Sequence, residues 1–166
     1  MMDEWFQAFT HESGHAVMAA IQSVSCHGVF LRKSPLKATA LVPPLPQSQE
    51  QTTGHRLFLA AGSAAETIIL GTVYLPGSKE DRRIFGNPQG TTFDGKVTEA
   101  QAILLSQKPR IERLASRLYG MYNNAGGDFS GFRSQLADLG DEGIKDHWVL
   151  LDEEELKEEL EGVAKV

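Results

Sequence analysis

Over the first 24 residues, Trp5, Phe6, Phe9, Val17, Met18, Ile21 and Val24 recur at helical spacing and leave one face of the segment apolar. Asp3 stands where an N-cap belongs, so the pattern predicts a helix from Asp3 to about Val24. Two short runs rich in Val, Leu and Phe follow, HGVFLRKS and KATALVPP, split by Ser34-Pro35, and they predict a pair of strands. PPLPQSQEQTTG is a loop by composition.

A second helix is predicted from about Thr53 to Leu70, closed by Gly71 as C-cap. Its small residues Ala60, Ala61, Gly62, Ala64 and Ala65 would let another helix approach closely. The broken stretch LPGSKEDRRIFGNPQGTTFDGK holds two helix starts of capping-box form, Ser78-x-x-Asp81 and Thr91-x-x-Asp94. A long third helix is predicted from about Thr92 to Tyr122 with a bend near Pro109, then a loop at NNAGGDFSGF. His147 beside Trp148 reads as a surface or packing residue. In the tail, LDEEELKEELEGVAKV predicts a short acidic helix capped by Asp152, with Leu156, Leu160 and Val163 on one face. The fold class is α+β and mostly helical, with a small sheet beside the first helix and a helical C-terminal part.

At 166 residues and 41% hydrophobic content, the chain can bury one core, and residues 1–166 read as a single domain. A net charge of -6 with no concentrated basic face argues against nucleic acid and against an anionic membrane surface. Cys26 is the only cysteine, so no internal disulfide and no paired-cysteine zinc site can form. No apolar run approaches the roughly 20 residues that span a bilayer, and MMDEWFQAF lacks the layout of a signal peptide. The expectation is a soluble, cytoplasmic chain.

The chemistry concentrates in His11-Glu12-Ser13-Gly14-His15, in the middle of the first predicted helix. Residues four apart on a helix share a face about 6 Å apart, so His11 and His15 can converge on one tetrahedral zinc ion. Glu12 lies where it can take a proton from a water that the metal activates, which makes it the candidate general base. By chance the HExxH pattern should arise in roughly one chain in a few hundred of this length, so the motif alone decides nothing. Its place on an amphipathic helix adds weight. So does Gly14, which costs about 1 kcal/mol of helix propensity and suggests a close approach of substrate or strand. Catalytic zinc usually keeps three protein ligands and one open position. Met18 and Ile21 exclude the HExxHxxGxxH class, and Glu66, Asp81 and Asp94 remain as candidates for the third ligand.

HESGHAVMAAI followed by LAAGSAAETIILG resembles the peptidase domain of the FtsH family, the membrane-bound AAA+ zinc metalloproteases, whose pattern is HEAGHA and then a GxxAEExxxG helix. In that family the third ligand is an aspartate in a GAxxD segment after the second helix. Gly77-Ser78-Lys79-Glu80-Asp81 fits that segment, so the resemblance implies zinc ligands His11, His15 and Asp81 with Glu12 as base. Gly90-Thr91-Thr92-Phe93-Asp94 offers a second such reading. Glu66 matches the family's acidic position in the second helix, implying support of a ligand histidine. The fit covers roughly residues 6 to 85. No AAA+ module or transmembrane helix is present, so the implied relatives are small stand-alone members acting without ATP on peptides or unfolded protein. The family's rings make a homo-oligomer a candidate assembly.

Other features carry less. Gly90 to Lys96 has P-loop spacing, but Val97 replaces the needed Ser or Thr, no strand precedes it, and Asp94 would repel a phosphate. Cys26 and His27 are adjacent and cannot both face one ion on regular structure. His55 reads as a helix-start residue. The two predicted strands are the candidate edge for a substrate peptide added as a further strand. Two functions follow: a zinc metallopeptidase, or a degenerate FtsH-like peptide-binding or interaction module.

Overall fold

The computed structural model describes residues 3–134 and 146–163. Helix α1, Glu4–Gln22, starts where Asp3 accepts hydrogen bonds from the Trp5 and Phe6 amides, as the N-cap position predicts. The predicted pair of strands is present as β1, Gly28–Lys33, and β2, Leu36–Leu41, which pair antiparallel about Ser34 and Pro35. Helix α2, Thr53–Leu70, ends at Gly71 in the left-handed conformation that glycine adopts without penalty. Its start is boxed reciprocally by Thr52 and His55, so His55 is a capping residue.

The broken stretch becomes a 3-10 turn, Leu75–Ser78, and a short helix α3, Lys79–Phe85. Ser78 precedes α3 but makes no side-chain cap to it. Helix α4, Phe93–Leu104, is capped by Thr92 on the Gly95 amide, one residue later than the Thr91 box. The single long helix expected from Thr92 to Tyr122 is two: a 3-10 turn at Leu105–Gln107 separates α4 from α5, Lys108–Ala125, with Pro109 in the first turn of α5. There proline's missing N–H costs nothing.

A third strand, β3, His147–Asp152, was not expected. It pairs antiparallel with β1, giving the order β2-β1-β3. His147, read from sequence as a surface or packing residue, belongs to it, and its ring meets Phe30 edge-on. Helix α6, Glu153–Glu159, follows, boxed by Asp152 and Glu155, with Leu156 and Leu160 buried and Val163 half-buried against the core. The last three residues of the predicted tail lie outside the described residues.

Among the described residues the architecture is mostly helical with one small antiparallel sheet. Its core runs between α1 and α2 and on to α4, α5 and the sheet, through Phe9, Val17, Met18, Phe58, Leu59, Leu104, Leu114 and Leu151. The small residues of α2 admit α1, as expected. Gly14 is explained by that helix contact and not by a substrate or strand: a Cβ there would lie 2.4 Å from the Ala65 Cβ and 2.5 Å from the Ala61 carbonyl oxygen. Among the described residues no helix is long and apolar enough to cross a membrane.

Candidate metal centre

Helix α1 places His11 and His15 one turn apart on the face turned towards α2, with their Nε2 atoms 3.0 Å from each other. Helix α3 brings Asp81 to the same point, its Oδ2 lying 2.9 Å from His11 Nε2 and 3.1 Å from His15 Nε2. Both imidazoles are buried and the Asp81 side chain is 15% exposed. The remaining ring nitrogens are anchored from α2. His15 Nδ1 donates to the Phe58 carbonyl at 2.7 Å, and His11 Nδ1 faces Glu66 Oε2 at 3.3 Å. Donation through Nδ1 leaves Nε2 with the lone pair that a metal would take. Glu66, 1% exposed, thus supports a histidine and does not join the cluster.

Gly62 makes this approach possible. A Cβ there would sit 2.3 Å from His11 Nε2 and 2.4 Å from Cε1, so the imidazole rests against bare α2 backbone. In the sequence Gly62 registered only as one small residue among several, and the Phe58 carbonyl left no signal because any residue supplies one.

Asp94, the rival third ligand, lies away from the cluster. Its side chain is 79% exposed and pairs with Arg82 at 2.9 Å, while Arg82 also lies over the Phe93 ring.

The donor set suits zinc. Two imidazole nitrogens and one carboxylate oxygen within 3.1 Å of one another approximate the shell of a tetrahedral ion, whose ligand atoms about 2.0–2.1 Å from the metal are about 3.3–3.4 Å apart. Protons on both imidazoles could serve the two contacts to Asp81 but would leave the two Nε2 atoms, 3.0 Å apart, facing each other as donors, whereas a cation satisfies all three contacts. Glu12 stands beside the trio: Oε1 accepts the Ala40 amide of β2 at 2.8 Å, and Oε2 lies 4.0 Å from His11 Nε2. His11, Glu12 and His15 offer donor atoms within 4.8 Å of each other, but Asp81 is much closer to the imidazoles than Glu12 is.

The charges are strongly coupled without a metal. Burial pushes the His11 imidazolium down, but the Asp81 and Glu66 carboxylates outweigh it and raise its pKa to about 10. His15 is raised as well, burial again being outweighed, chiefly by Asp81. For Asp81, burial favours the neutral acid, yet the two histidines hold its carboxyl well below the usual range.

A groove of about 240 Å³ opens on the cluster, walled by Ala38 and Ala40 of β2 on one side and by Leu45, Phe58 and Ile84 on another. Of the strand pair expected to receive a peptide, β1 is the middle strand, so only β2 presents an edge. Leu41 turns its carbonyl inward to His27, and by antiparallel alternation Ala40 and Ala38 turn their peptide groups outward to the groove. A larger cavity of about 450 Å³ between the end of α1 and α6 touches none of the cluster. Cys26 lines it, its thiol pushed up to about 11 by burial.

No protein-family model, curated protein or solved structure matches the chain.

Proposed function

We propose that the chain is a zinc-dependent metallopeptidase that hydrolyses peptide bonds in peptides or unfolded protein. The observation that carries this reading is the convergence of His11 Nε2, His15 Nε2 and Asp81 Oδ2 within 3.1 Å, with a Glu12 carboxylate oxygen beside them. His11, His15 and Asp81 would hold the ion, in the roles the FtsH resemblance implies, on a zincin-like helix flanked by a sheet edge. Zinc bound there would supply Lewis acidity, lowering the pKa of a coordinated water and polarising a carbonyl.

The chain's own groups do the rest. The outward peptide groups of β2 can receive a substrate as an added strand, using backbone hydrogen bonds that do not depend on sequence. Phe58 and Glu66 fix the two imidazoles, so the site needs little rearrangement during reaction. Glu12 takes the proton of the attacking water as its oxygen bonds to the carbonyl carbon. When the C–N bond breaks, the same carboxyl delivers that proton to the departing amine. Glu12 is mostly buried yet lines the groove, where it can reach both.

Metal analysis of the purified protein, with peptide hydrolysis by the parent and by Glu12→Gln, tests the reading. Stoichiometric zinc in both proteins and activity lost only in the variant are expected. Zinc without hydrolysis of any unfolded substrate would instead favour an FtsH-like peptide-binding module, and a protein that takes up no zinc would overturn both.

A further inference from the structure

We propose that the peptide N–H of Ala40 is a positioning group for Glu12 and is withheld from any peptide bound along β2. The proposal rests on the hydrolase reading for its kinetic consequence but on the fold for its geometry. One Glu12 oxygen is tied to the Ala40 amide at 2.8 Å while the other faces the donor cluster, 4.0 Å from His11 Nε2. A carboxylate held by one oxygen cannot turn the other away without breaking a charge-assisted hydrogen bond. The anchor is stiff, since Ala40 is 8% exposed and its strand is paired in register with β1 at Val29.

A strand added to β2 would ordinarily claim every outward N–H and C=O. Here one outward amide is already engaged. The bound peptide must therefore pair through the groups that remain, the Ala40 carbonyl and the outward peptide groups of Ala38 and Leu36. That disfavours any register that needs the Ala40 N–H and leaves the base in place when the groove fills.

Backbone esters separate these roles, because an α-hydroxy acid at one position replaces a single N–H by oxygen and leaves the side chain intact. In the metal-free protein, the ester at position 40 and Glu12→Ala should couple by roughly tenfold or more in the unfolding constant, as a hydrogen bond to a charged group does. In the zinc-loaded protein the same ester should lower kcat by about ten- to a hundredfold, with KM held within about twofold. An ester at position 38 should do the reverse, raising KM and sparing kcat. Ala40→Gly, which keeps the amide, should retain the coupling to Glu12. Additive unfolding effects of the position-40 ester and Glu12→Ala, or a position-40 ester that raises KM at unchanged kcat, would overturn the proposal. If the zinc-loaded parent cleaves no peptide, the hydrolase reading falls, and the unfolding cycle still decides whether Ala40 holds Glu12.

Discussion

Replacing Gly62 by Ala would put a methyl group 2.3 Å from Nε2, 2.4 Å from Cε1 and 2.6 Å from Cδ2 of His11. Carbon atoms in contact rest about 3.5–4.0 Å apart, so the ring must retreat by about 1 Å. Zinc-ligand distances tolerate only about 0.2 Å, so the displaced imidazole leaves the shell that Asp81 and His15 define. The fold is affected less. Overpacking costs about 1–3 kcal/mol, and Ala in place of Gly returns about 1 kcal/mol of helix propensity. The net loss of stability is about 0–2 kcal/mol. Zinc affinity should fall on the order of 100-fold, the upper end of what removing a partner of a ligand histidine costs, because here the ligand itself moves. Competition with a chromogenic chelator measures the affinity, and thermal melting in EDTA measures the fold. Gly120→Ala on α5 is the control, since a Cβ there meets nothing within 4 Å. Zinc affinity within twofold of the parent for Gly62→Ala, or an equal loss for Gly120→Ala, would refute the reasoning.

Asp81→Ala should abolish stoichiometric zinc, whereas Asp94→Ala should leave it and change stability by no more than about 1 kcal/mol, its pair with Arg82 being largely exposed; zinc titration and urea unfolding of each variant decide this. Glu66→Ala should weaken zinc by about 10–100-fold by releasing His11 Nδ1, measured by the same competition. The metal-free protein should lose stability as pH rises from about 6.5 to about 10, because the raised pKa values of His11 and His15 stabilise only while the imidazoles stay protonated. It should also lose stability as pH falls below Asp81's ordinary value of about 3.8, since a depressed carboxyl stabilises only while ionised. Urea midpoints against pH, compared with His11→Gln, test both limbs. Zinc must displace the His11 proton, so calorimetry at pH 7 in buffers of different ionisation enthalpy should show proton release on binding.

Helices α1 and α2 could be read from sequence because each is long, periodic and ended by a residue with one local job, Asp3 at the first and Gly71 at the second. Strand β3 could not. HWVLLD is six residues with no clean alternation, its Val149, Leu150 and Leu151 all buried, and it runs straight into the capping residue of α6. The bend near Pro109 was visible, but the full break falls earlier, at Leu105–Gln107, where the chain passes from α4 packed on α2 to α5 packed on α1. In the candidate site, the spacing of His11, Glu12 and His15 is written within one helix and is therefore local. Asp81 and Asp94 look alike in sequence, each four residues beyond a glycine, and only the chain path through α3 separates a mostly buried carboxylate from an exposed one. The support of His15 by the Phe58 carbonyl and the hold of Ala40 on Glu12 are backbone interactions, to which side-chain identity is blind.

The cluster joins positions far apart along the chain, His11 and Asp81 being separated by 70 residues. A metal ion seated there would be a removable cross-link. Closing a loop of that length by a covalent bridge withdraws about 4 kcal/mol of conformational entropy from the unfolded chain. That is a large fraction of the stability of an ordinary domain, about 5–15 kcal/mol. A chain holding the ion would open less often than the same chain without it, so metal loading would read out as resistance to proteolysis and not only as activity.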